Sequence, residues 1–200
     1  YIYLGVVVGF FNSALLFPHF LEPSQKGILD IITSVCLITS AIFSLGVPLV
    51  TLRLFPHFRD DKNSHNGYFS FLMAVILMGL IIGLVPLYIF YQSKFPESTQ
   101  TLYYAILIVG TYFFRLMFNN LDAFNRMQYN TIIGAISSNI VLRLISLFSI
   151  LLYAFDYINL DLLVIVHALA LSAPGIISLL YIFYSKQSQI GFSKFIRKIK

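Results

Sequence analysis

The stretch SSNIVLRLISLFSILLYAF, residues 137–155, decides the fold. It is apolar over the length of a membrane span, yet Arg143 stands inside it. A charge at the centre of a bilayer costs roughly 2.5–3.5 kcal/mol on insertion scales and about 10–17 kcal/mol on an isolated helix. The run therefore has to belong to a bundle in which Arg143 turns away from lipid. Asn139 lies one turn before Arg143 and Ser146 one turn after, and spacing of three to four residues puts all three on one helical face. That face predicts a polar seam directed into the bundle, and Arg143, Asn139 and Ser146 are its candidate ligand-binding residues.

The rest of the chain has the same character. Of its 200 residues, 58% are hydrophobic and 10% charged, against about 25% charged in soluble domains. A span takes about 20 apolar residues. Six apolar runs are long enough to be helices: 1–17, 27–54, 68–91, 101–118, 131–153 and 160–184. Lipid accepts only helices or closed barrels, and these runs lack the alternation of a barrel strand. The expected fold class is all-α, a polytopic membrane protein with six transmembrane helices over residues 1–184. Pro18, Pro23, Pro56 and Pro96 sit at run ends, whereas Pro48, Pro86 and Pro174 lie inside runs and predict kinks. Ser24 is expected to cap the second helix, with Asp30 facing the positive end of its dipole. Tyr1 opens directly on an apolar run with no basic segment before it, so the chain reads as a piece of a longer protein, without a signal peptide.

Lys and Arg set the expected orientation. Arg53, Arg59, Lys62, Arg115, Arg126, Lys186, Lys194, Arg197, Lys198 and Lys200 fall on one side of the six runs, and only Lys26 and Lys94 on the other. Ten against two places both ends of the segment in the cytoplasm. Residues 185–200 end in IGFSKFIRKIK, with Phe192, Phe195, Ile196 and Ile199 on one face and bases elsewhere. That pattern suits a helix lying on anionic membrane lipids. A nucleic-acid partner is not expected, because the apolar face would go unused.

Other polar positions carry less. Arg115 lies near the cytoplasmic end of its run, with Asn119 one turn on and Asp122 two turns on. The Arg115 and Asn119 pair therefore reads equally as a cavity lining and as a snorkelling cation with a local partner. Arg53 ends the second run and reads chiefly as a topological anchor, and second as a candidate for the substrate cavity. Asn12 and His167 are single polar residues in the first and sixth runs, expected first to make interhelical hydrogen bonds, with Asn12 also a candidate for the substrate cavity. His167 is also a candidate for proton coupling. LFPHF occurs twice, at 16–20 and 54–58, as interfacial aromatics with a helix-stopping proline. Single Cys36 excludes a disulfide framework and a thiolate metal site. No HExxH, CxxC or glycine-rich phosphate loop appears. No catalytic residue, metal or cofactor is expected, and the chain does not read as an enzyme.

Three stretches taken together resemble a known family: GVVVGFFNSALLFPHFLEPSQKGILDIITS (5–34), FSLGVPLVTLRLFPHF (43–58) and FRLMFNNLDAFNRMQYNTIIGAISSNIVLRLI (114–145). They are similar to the N-terminal half of the polysaccharide and oligosaccharide flippases, in the superfamily that also holds the MATE exporters and the lipid II flippase. The resemblance implies one six-helix lobe of a two-lobed protein, with the second lobe of the same chain as a partner. It implies transport of undecaprenyl-diphosphate-linked oligosaccharide across the bacterial inner membrane by alternating access. Arg143 would then meet a pyrophosphate, a group that Arg binds with two parallel donors. The MATE branch fits less well, because its exporters commonly carry an acidic residue in the first span where this chain has Asn12. The lipid II branch is the closer competitor. A polytopic transferase acting on polyprenyl lipids is the alternative of another class.

Overall fold

The computed structural model describes residues 2–60, 64–94 and 99–185. The C-terminal basic segment, the 95–98 stretch with Pro96, and Lys62 lie outside them. Regular structure among the described residues is helical, with no strand. Helix α1 covers residues 2–20, α2 Pro23–Phe43, α3 Val47–Phe58, α4 Tyr68–Lys94, α5 Thr99–Met127, α6 residues 131–154 and α7 Leu160–Tyr184. Five of the helical segments are long and apolar enough to cross a membrane: Tyr3–Phe20, Pro23–Phe43, Tyr68–Ile89, Thr131–Ala154 and Leu160–Tyr184.

Two helices fall outside that set, the short α3 and the long α5, and α5 is the helix at the centre. It packs against α2, α3, α4 and most extensively α7; α6 packs along α7 and meets α5 through its first turns, and α1 lies against α6. Its expected span ended at residue 118, yet the helix continues to Met127. At 1.5 Å per residue, 29 residues reach roughly 44 Å, well past the ~30 Å hydrocarbon core. The continuation is polar in sequence but buried in fact: Asn120, Leu121, Asp122, Phe124 and Asn125 are all sealed against neighbours. Helical packing therefore overrides the loop-like composition there.

The second run does not form one kinked helix. It breaks at residues 44–46, where Leu45 (φ 53°) and Gly46 (φ 67°) adopt left-handed backbone, and α3 restarts at Val47 with Pro48 in its first turn. The cause is local. Pro48 has no N–H to give the Ser44 carbonyl, and proline suits a first turn where that donor would be idle. Gly46 takes the positive φ at little cost. Val47 N–H donates to the Ser44 carbonyl at 3.0 Å and closes the turn. Pro86 and Pro174, in contrast, lie within unbroken helices.

Helix α2 also begins earlier than the apolar run suggests. Glu22, not Ser24, is its N-cap, Pro23 is the first helical residue, and the Glu22 N–H donates to Gln25 Oε1 at 3.1 Å. The two LFPHF copies close α1 and α3 respectively, each forming the last helical turn. At the α3 end, Phe55 packs edge-on against Tyr68 and Phe124, with centroids 5.4 and 5.3 Å away. The Tyr68 hydroxyl donates to Thr51 Oγ1 at 3.1 Å. This aromatic cluster fixes α3 along the C-terminal half of α5.

Candidate functional site

The predicted polar residues separate into two seams. The first lies between α1 and α6. Both helices change pitch there: Phe11–Leu16 of α1 and Ser137–Val141 of α6 are single π-turns, a feature that is rare and concentrated at functional positions. Asn12 is buried and its Nδ2 donates to the Arg143 carbonyl at 2.9 Å. In return, Arg143 Nη1 donates to the Gly5 carbonyl of α1. Asn139 lies directly against Gly5, where an added Cβ would stand 2.5 Å from the Asn139 carbonyl oxygen. A Cβ on Gly9 would overlap the Arg143 guanidinium. Glycine at position 5, which meets backbone, is thus a condition of the close approach, whereas at Gly9 the guanidinium would have to move.

Asn139 spends its own amide locally, on the Ala135 carbonyl at 2.9 Å and Ser138 Oγ at 3.2 Å. Ser146 is buried further along α6, and its carbonyl accepts from Ser149 Oγ at 2.8 Å. Arg143 is half-buried, and no carboxylate pairs with it among the described residues.

The second seam lies between α5 and the broken pair α2–α3. Arg115, Asn119, Asp122 and Arg126 recur along α5 at steps of three or four, and so share a face. Asn119 Nδ2 donates to Ser40 Oγ of α2 at 3.3 Å. The Cζ of Arg115 stands 5.3 Å from the centre of the Phe118 ring. Its Nε and Nη1 are buried and have no hydrogen-bond partner. Asp122 serves Arg126 instead, at 2.7 Å, and its other oxygen presses on Gly134 of α6.

Where α2 breaks, its course and that of α5 leave a cavity of about 440 Å³, lined by Ser44, Pro48, Phe118, Asn119, Asp122 and Arg126 among others. Nearby, Arg59 lies over the Tyr129 ring at 4.4 Å, and with Arg126 it lines a smaller cavity of about 250 Å³.

Two predicted residues join neither seam. Arg53 is exposed on α3. His167 is buried between α7 and α2: its Nε2 lies 2.9 Å from Thr33 Oγ1, while Nδ1 is sealed without a partner. Because Thr33 Oγ1 also donates to the Leu29 carbonyl at 2.8 Å, it accepts from His167, which fixes the proton on Nε2. Gly5, Gly9, Ser40 and the cavity at the break were not predicted. The glycine pair was legible, since GVVVG at 5–9 is a small-xxx-small pattern that lets helices approach closely.

Chemically, the two seams offer cations and amides in an apolar bundle. They contain no paired carboxylates, nucleophile–base contact or, among the described residues, any cluster fit for a metal. Comparison with protein families, with characterised proteins and with solved structures finds no match to this chain.

Proposed function

We propose that the chain is the N-terminal six-helix half of a flippase that carries polyprenyl-diphosphate-linked oligosaccharides across the bacterial inner membrane. In this reading α5 is the fourth of six spans, both ends of the segment are cytoplasmic, and a second half completes an alternating-access cavity. One observation carries the proposal: Arg143 and Arg115 stand within an apolar helical bundle, and no carboxylate pairs with either among the described residues. Intramembrane Arg that lacks a protein counter-charge marks a pathway for an anionic substrate. A diphosphate supplies the charge, and the apolar flanks suit its lipid tail.

A second reading has a specific observation behind it. The bond from Arg143 to the Gly5 carbonyl is what a purely structural pin between α1 and α6 would make. Activity per folded molecule separates the two. In the full-length protein, Arg143→Ala is expected to lower folded yield modestly and to cut surface-glycan export per folded molecule by about tenfold or more, the worth of one charge-assisted contact. Arg143→Lys is expected to recover only part, since an ammonium lacks the planar fork. Export per folded molecule that stays near wild type in Arg143→Ala would leave only the pin.

A further inference from the structure

The end of the bundle where α1 closes and α7 begins holds a group that neither seam uses. His167 is 9% exposed and faces α2 from α7. Its contact with Thr33 Oγ1 is the one hydrogen bond that joins α2 to α7 among the described residues. Elsewhere α2 leans chiefly on α5 and touches α7 along a shorter line. The bond has a fixed sense. Thr33 gives its hydroxyl hydrogen to the Leu29 carbonyl, so its oxygen accepts from the ring. Nε2 therefore carries the proton, and Nδ1 keeps a lone pair that is sealed without a partner. Phe17 of α1 meets the imidazole edge-on, with ring centroids 6.3 Å apart.

Imidazole is the side chain whose ordinary titration falls between about pH 5 and pH 8. A proton on Nδ1 would add a charge and an N–H with no acceptor in hydrogen-bonding reach. Burying both without a partner is costly. The helix ends gathered here bring other titratable or charged groups: His19 on α1, Lys26 and Asp30 on α2, Tyr104 on α5, Tyr153 on α6 and Asp161 on α7. Among the described residues none of them bonds to the imidazole. Asp30 is exposed and lies one turn before Thr33, so a carboxylate stands beside the acceptor that an imidazolium would leave. The packed seam thus suits a neutral ring, and the parted seam suits a charged one.

We propose that His167 is a proton-operated clasp: neutral, it holds α2 against α7, and protonated, it lets that seam part. The clasp rests on the packing of these helices alone and stands whether or not the chain is half of a flippase.

The test is thiol accessibility of the purified chain in uncharged detergent. Leu29 is buried one turn before Thr33 on the same face of α2, so Leu29→Cys with Cys36→Ala places the only thiol inside the seam. Its rate with a dithiodipyridine, a reagent that stays active in acid, is divided by the rate of the unfolded chain at the same pH. If only the parted seam takes the proton, with an ordinary pKa of about 6.5, opening rises by at most about thirtyfold from about pH 7.5 to about pH 5. A rise of about tenfold or more is expected. His167→Gln in the same background keeps an N–H for Thr33 but cannot take a proton, and should change by less than about twofold over that range. Thr33→Val removes the acceptor and should raise the rate about fivefold at neutral pH, the worth of one neutral hydrogen bond. Helical content and monodisperse elution establish that each variant is folded. If His167→Gln does not fold, His167→Asn takes its place, since its amide also donates and does not titrate. A normalised rate that stays level from neutral to acid pH in the His167 protein would overturn the clasp. A full acid response in His167→Gln or His167→Asn would do the same, because the proton would then act elsewhere.

Discussion

Arg143 and Arg115 are the same side chain in two kinds of seam, and the difference lies in what the facing helix offers. At Arg143 the facing helix is α1, whose Gly5 and Gly9 bring bare backbone into contact and present a carbonyl to the guanidinium. At Arg115 the facing helix is α2, which presents a thiol and a hydroxyl, Cys36 and Ser40, and then breaks. A carbonyl meets a guanidinium donor, whereas a thiol and an aromatic face do so poorly. The first Arg therefore joins two helices, and the second is left with donors to spare. Charge in a span has a structural or a ligand-directed use according to the backbone it can reach.

The largest expected effect breaks the first seam outright. Gly5→Val would place a Cβ 2.5 Å from the Asn139 carbonyl oxygen, and backbone cannot swing aside as a side chain can. Forcing the helices apart should cost at least the upper end of the usual overpacking range, about 3 kcal/mol. It should also strip Arg143 of its acceptor. Folded yield and thermal midpoint of the purified chain measure this. A midpoint within experimental error of wild type would mean that α1 does not dock on α6 through these glycines.

A middle-sized effect sets the two arginines against each other. Arg143→Met removes a satisfied interhelical donor and should destabilise by about 1 kcal/mol. Arg115→Met removes a desolvated, unmet charge, and the thioether fills the gap. It should stabilise by about 1–2 kcal/mol, as replacement of poorly compensated buried charge commonly does. Opposite signs in parallel denaturation series are the expected result. The same sign for both variants would remove the distinction between the seams.

How much of this was legible depends on the period and the polarity of each stretch. All six apolar runs are helical because nothing else satisfies backbone groups in hydrocarbon. The interruption near Pro48 followed from its missing N–H, but the full break did not, because it needed Leu45 as well as Gly46 to turn left-handed. The length of α5 was misread for a different reason. Asn119, Asn120, Asp122 and Asn125 look like a loop by composition, and only their spacing from Arg115 betrays a continuous face. Burying them required α3, α6 and α7 to close around that end, which no local signal announces. The π-turns in α1 and α6 had no sequence signal at all, although Asn12 and Asn139 lie within them.

The smallest expected effect concerns Asn12, the reciprocal half of the first seam. Its Nδ2 donates to the Arg143 carbonyl at 2.9 Å, an acceptor beside the π-turn of α6. Interhelical hydrogen bonds in membranes average only about 0.6 kcal/mol, because the separated helices find other partners. Asn12 Oδ1, moreover, is buried without a partner, so Asn12→Ala removes an unmet acceptor along with a met donor. The net loss should be about 0.5 kcal/mol or less. Arg143 should keep its bond to Gly5, and Asn12→Ala should leave export per folded molecule close to wild type. The double variant Asn12→Ala, Arg143→Met then measures whether the two reciprocal bonds act as one. A coupling energy near zero would mean that each stands alone, while a value above about 0.5 kcal/mol would show a single cooperative latch. A coupling near zero is the expected outcome, since the Arg143 bond to Gly5 uses a donor and an acceptor that Asn12 does not touch.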